Sequence, residues 1–136
     1  SIGKITVINS GCKTHFIMYA NSKDDCIKYI WSNNKLHIKH LNAAFNCCPN
    51  TISADAIIQD SIITIQEKEL LTNPCKCNCL YDLEYDILNV NQGTYYLRLK
   101  EPYVSHDSVS FDFKIDLTNP DTATYCIPRS QYPWGN

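Results

Sequence analysis

Val109-Ser110-Phe111-Asp112-Phe113-Lys114-Ile115-Asp116-Leu117 alternates apolar and polar residues without a break. A β-strand turns successive side chains to opposite faces. The run therefore predicts a strand with Val109, Phe111, Phe113, Ile115 and Leu117 against a core and Ser110, Asp112, Lys114 and Asp116 toward water. A single apolar face needs a second layer to cover it, and the rest of the chain has to supply that layer.

Outward from this run the same period recurs. Tyr95, Leu97 and Leu99 alternate with Tyr96, Arg98 and Lys100, and Leu83, Tyr85 and Ile87 alternate with Glu84, Asp86 and Leu88. These two runs, 80–90 and 94–100, are joined by Asn91-Gln92-Gly93 and read as a pair of half-buried strands. Residues 54–58 and 61–66, separated by Gln59-Asp60, read as a hairpin. In 35–41, Leu36, Ile38 and His40 share one face, while Lys35, His37, Lys39 and Leu41 share the other. Residues 4–8, 14–19 and 26–31 carry β-branched and aromatic side chains. No stretch holds a helical apolar spacing beyond two turns, and Pro102, Pro120, Pro128 and Pro133 fall between or after the strands. The expectation is an all-β, antiparallel two-sheet sandwich of seven or eight strands, immunoglobulin-like, in one domain over 1–136 with an irregular tail from about 128.

The composition fits that reading. A chain of 136 residues with 44% hydrophobic residues can bury one sizeable core without cross-links. A net charge of −2, with no basic run, argues against nucleic acid as a partner. The longest apolar stretches are too short to span a membrane, and Ser1-Ile2-Gly3-Lys4 lacks the apolar core of a signal peptide, so any export signal is expected to have been removed.

The cysteines then need another reason. Cys12, Cys26, Cys47, Cys48, Cys75, Cys77, Cys79 and Cys126 are even in number and include no Cys-x-x-Cys pair, which favours disulfides in an oxidising compartment. Cys75, Cys77 and Cys79 lie two apart, so in an extended segment their sulfurs point the same way. With Cys47 or Cys48 they could instead form a thiolate site for Zn or Cu(I). A bridge between adjacent Cys47 and Cys48 is strained, so the expected bridges run between the 47/48 and 75/77/79 clusters.

Other candidates carry less chemistry. Asn91-Gln92-Gly93-Thr94-Tyr95 has the spacing of a tyrosine corner, in which Tyr95 returns its hydroxyl to backbone near Asn91. His15, His37, His40 and His106 are the imidazole candidates, and His106-Asp107-Ser108 reads as a solvated turn. Asp24-Asp25 and the Glu67, Glu69 pair read as solvated loop or strand-end charge. No catalytic residue, cofactor or resident metal is expected. Tyr96, Tyr103, Tyr132 and Trp134 are the aromatics least suited to a core and could stack on sugar rings, with Tyr132 and Trp134 as the candidate ligand-binding pair.

Cys47-Cys48-Pro49, Cys75-Lys76-Cys77-Asn78-Cys79, Tyr81-Asp82-Leu83-Glu84-Tyr85 and the Asn-x-Gly-x-Tyr turn together resemble the small exported, often lipid-anchored, immunoglobulin-like proteins of Bacteroidetes-type bacteria. The resemblance covers roughly residues 47 to 99. It implies an exported sandwich and brings no catalytic residues. The expectation is a non-catalytic binding or structural module in the periplasm, at the cell surface or secreted. Its partner would be a surface protein or glycan, with a possible lipid anchor in a removed precursor segment. The alternatives are a glycan-binding module using exposed Tyr and Trp, and a thiolate metal-binding protein using Cys75, Cys77 and Cys79.

Overall fold

The computed structural model describes residues 2–13, 24–105, 108–118 and 120–130. Among these, ten strands form two five-stranded sheets. The first contains β1 (Ile2–Ile5), β5 (Thr51–Gln59), β6 (Ile62–Leu70), β8 (Gly93–Lys100) and β9 (Phe111–Leu117), in the order β1-β5-β6-β8-β9. The second contains β2 (Ile8–Asn9), β3 (Asp24–Ser32), β4 (Lys35–Asn46), β7 (Asn78–Leu88) and β10 (Asp121–Pro128), in the order β10-β3-β4-β7-β2. Inward residues of both sheets, among them Ile27, Leu36, Phe45, Leu83, Ile63, Leu97 and Ile115, merge into one apolar cluster, so the architecture is the expected two-sheet all-β sandwich.

Three local features depart from the sequence expectation. The 80–90 and 94–100 runs are strands, but they do not pair. β7 lies between β4 and β2, and β8 lies between β6 and β9, so the chain changes sheets at 89–92. The pairing of β6 with β8 is parallel, which makes the first sheet mixed. Val109 is not on the core face. It is 67% exposed and precedes β9, which starts at Phe111. Within β9, Phe111, Ile115 and Leu117 are buried and Asp112, Lys114 and Asp116 are exposed. Phe113 is half-buried, its ring stacked on Tyr125 at 3.7 Å.

Turn chemistry sets the registers. The β3–β4 hairpin turns through Asn33 and Asn34 (φ 52° and 61°), and β5–β6 turns through Asp60 and Ser61 (φ 54° and 63°), one residue later than the sequence suggested. Two consecutive positive φ angles make the two-residue loop whose twist matches that of the strands, and Asn and Asp tolerate it. A bulge between His40 and Ala43, with Asn42 at φ 66°, then shifts the phase of β4. Before it Leu36, Ile38 and His40 face inward, and after it Ala43 and Phe45 do. Asp82 fills the bulge, accepting a hydrogen bond from the Asn42 amide and an ion pair from Lys13.

Candidate functional site

Three strands, β3, β4 and β6, continue an inward apolar run with a polar residue. Asp25 has the inward phase of Ile27, Tyr29 and Trp31, His40 that of Leu36 and Ile38, and Glu67 that of Ile63 and Ile65. All three of these polar side chains are fully buried. Glu101 follows β8 and Arg129 follows β10, with side chains 4% and 7% exposed, and Tyr85 joins from β7. Glu67 and Glu101 come from the first sheet, and Asp25, His40, Tyr85 and Arg129 from the second. The cluster is therefore a polar bridge through the core.

Its geometry is closed around one imidazole. His40 Nδ1 lies 2.8 and 2.9 Å from the two Glu67 carboxylate oxygens, and Nε2 lies 2.6 Å from Asp25 Oδ1 and 3.2 Å from Glu101 Oε1. The Tyr85 hydroxyl donates to Glu67 Oε2 at 2.7 Å. Arg129 donates from Nε and Nη2 to Asp25 Oδ2 at 3.0 and 2.8 Å, and Nη2 reaches Glu101 Oε2 at 3.2 Å. The Phe111 ring closes one side of His40, edge to face at 5.9 Å. Burial opposes charge on His40, but the Glu67, Glu101 and Asp25 carboxylates outweigh it and hold the imidazole pKa well above its usual value. Asp25 is likewise held below the carboxylate range, because burial is overcome by His40 and by hydrogen bonds from its neighbours. Glu101 is pushed up to about 7, chiefly by burial and only partly offset by His40.

This cluster corrects the reading of Asp24-Asp25 and Glu67, Glu69 as solvated charge. Asp24 is exposed, but Asp25 and Glu67 are buried because their strands run inward at those positions. Glu69 is partly buried and accepts the Asn46 amide at 3.0 Å. His37 lies on the opposite face of β4 from His40, between the exposed carboxylates of Asp86 (2.7 Å) and Glu84 (3.1 Å). His15, His106 and Asp107 lie outside the described residues.

The eight cysteines form four pairs, Cys12–Cys79, Cys26–Cys126, Cys47–Cys77 and Cys48–Cys75, with Cα separations of 5.8, 4.1, 5.6 and 5.4 Å. Cys75, Cys77 and Cys79 thus go to three different partners, and no cysteine among the described residues is free. Sequence reading overlooked the residue that sorts the crowded end, Asn46. Its Oδ1 accepts the amides of Cys48 and Cys75 at 2.9 and 3.0 Å, and its Nδ2 donates to the Cys75 carbonyl at 2.8 Å. The Tyr81 hydroxyl donates to the Asn46 carbonyl at 2.7 Å. Buried at the end of β4, Asn46 aligns the segment at Cys75, ahead of β7, beside Cys48 and leaves Cys77 beside Cys47, where the Cys47 amide donates to the Cys77 carbonyl.

The remaining candidates are separated. The Tyr95 hydroxyl donates to the Asn91 carbonyl at 2.7 Å across the sheet change, next to Gly93, whose φ of 156° a residue with a Cβ rarely adopts. Tyr96 is 48% exposed, whereas Tyr103 is partly buried against Phe45. Tyr132 and Trp134 lie outside the described residues. No helix among the described residues is long and apolar enough to cross a membrane. Comparison with family models, with curated proteins and with solved structures finds no match to this chain.

Proposed function

We propose that the chain is an exported, non-catalytic binding or structural module of an immunoglobulin-like kind, working in an oxidising compartment against a surface protein or glycan. The observation that carries this reading is the complete pairing of eight cysteines into four bridges. Thiol-reducing compartments do not sustain such a set, and a sandwich of this size does not need it merely to collapse. The reading is also supported by the burial of His40 with Asp25, Glu67 and Glu101, whose side chains are closed off from any substrate in solution. The glycan reading rests on the exposed ring of Tyr96.

The test is to recover the chain from a bacterial periplasm and titrate thiols after denaturation without reductant. The expected result is no reactive thiol, with a melting temperature that falls by roughly 10 °C or more on reduction. Reactive thiols throughout, with melting indifferent to reductant, would overturn the exported reading. Glycan binding abolished by Tyr96→Ala would make the glycan the partner.

A further inference from the structure

We propose that Asp25, His40 and Glu101 form a buried site for a divalent transition-metal ion of the Zn2+ class. Three donor atoms, Asp25 Oδ1, His40 Nε2 and Glu101 Oε1, gather in the core, each within 4.8 Å of the others. A tetrahedral zinc with bonds of about 2.0–2.2 Å sets its ligand atoms roughly 3.3 Å apart. The Glu101 oxygen already stands 3.2 Å from Nε2, and the Asp25 oxygen, at 2.6 Å, needs to withdraw by only part of an ångström. Two carboxylates and one imidazole suit zinc better than the oxygen-only shells of calcium or magnesium.

The surroundings are built as metal surroundings are. A metal-bound histidine ordinarily gives its other ring nitrogen to a carboxylate, which fixes the ring, and His40 Nδ1 does so to Glu67, itself held by the Tyr85 hydroxyl. Arg129 occupies the outer oxygens, Asp25 Oδ2 and Glu101 Oε2, and leaves the inner pair to face the imidazole. An independent sign is Glu101 Oε1. It is buried and makes no hydrogen bond, the only such side-chain atom among the described residues, and the charge nearest to it is His40 Nε2 at 3.2 Å. Charge permits the exchange: without metal, three carboxylates face Arg129 and the His40 imidazolium, and a divalent cation that takes the place of the His40 proton brings the sum of these charges to zero. This site shares no residue with the thiolate alternative, whose sulfurs are all paired.

To test it, disulfide-intact protein is stripped with a chelator, the chelator is removed, and Zn2+ is titrated calorimetrically near neutral pH, with Co2+ as a spectroscopic substitute. The expected result is one Zn2+ per chain, melting that rises with added Zn2+, and Co2+ bands of nitrogen and oxygen ligation without thiolate charge transfer. Glu101→Gln keeps the side chain's shape and should weaken binding at least about 10-fold, while Glu84→Gln beside His37 should leave it unchanged. Should Glu101→Gln fail to fold, the His40 ring nitrogen signals of the wild-type protein decide, since Nε2 must shift on Zn2+ addition. No stoichiometric binding, equal affinity in Glu101→Gln, dependence on Glu84, a still Nε2 signal or a thiolate band would each overturn the site.

Discussion

Tyr95 and Tyr85 show how differently one hydroxyl can matter. The Tyr95 hydroxyl meets a single backbone carbonyl in a partly solvated corner. Tyr95→Phe should therefore lower stability by about 0.5–1.5 kcal/mol, the net worth of one hydrogen bond, read as a lower urea midpoint at equal m-value. Tyr85 donates to a fully buried carboxylate that also holds His40. Tyr85→Phe should cost about 1.5–3 kcal/mol, because a bond to a charged group is stronger. Glu67→Ala should cost about 3–5 kcal/mol, because it strands a buried imidazolium. A Glu67→Ala penalty no larger than that of Tyr95→Phe would show that His40 is not charged in the core.

At the scale of strands, the corrected start of β9 can be tested directly. Phe111→Ala removes a buried ring that touches both His40 and Phe113, so it should cost about 3–5 kcal/mol, whereas Val109→Ala should change stability by less than about 0.5 kcal/mol. Comparable losses would place Val109 back on the core face. The period-2 pattern made most strands legible, and even the phase of the polar cluster was present in it. His40 shares the parity of Leu36 and Ile38, and Glu67 that of Ile63 and Ile65. What stayed hidden was the partner. A charge at the end of an apolar run reads as solvated because buried charges are rare, and only the fold brings Asp25, Glu67 and Glu101 around one ring. The sheet change after β7 was hidden for a similar reason, since alternation fixes the face of a strand and not its neighbour. β10, whose outer residues include Thr122, Thr124 and Cys126, turns only partly buried Ala123, Tyr125 and Ile127 to the core and is tied to β3 by its register and the Cys26–Cys126 bridge.

Across the whole molecule, the bridges divide by what they enclose. Cys48–Cys75 spans 27 residues and Cys47–Cys77 spans 30, so chain entropy assigns each about 3–4 kcal/mol. The two enclose nearly the same segment, and the second adds little closure entropy once the first exists. Replacing Cys48 and Cys75 together by Ser should therefore cost well under about 3 kcal/mol, and removing all four cysteines 47, 48, 75 and 77 should cost the full loop term. Thermal unfolding of both variants checks this, and equal increments from the two bridges would refute the shared-loop account.

The order of the cysteines along the chain also has a consequence for proteolysis. Cys12, Cys26, Cys47 and Cys48 all precede the β5–β6 hairpin, and Cys75, Cys77, Cys79 and Cys126 all follow it, so every bridge joins the first half of the chain to the second. The hairpin tip, Asp60-Ser61, is exposed. A protease site placed there should yield two polypeptides that migrate as one species without reductant and separate only when reduced. The nicked molecule would be a two-chain heterodimer laced by four bonds, retaining its strand content by circular dichroism. Loss of one fragment on a non-reducing gel would mean that the pairing differs.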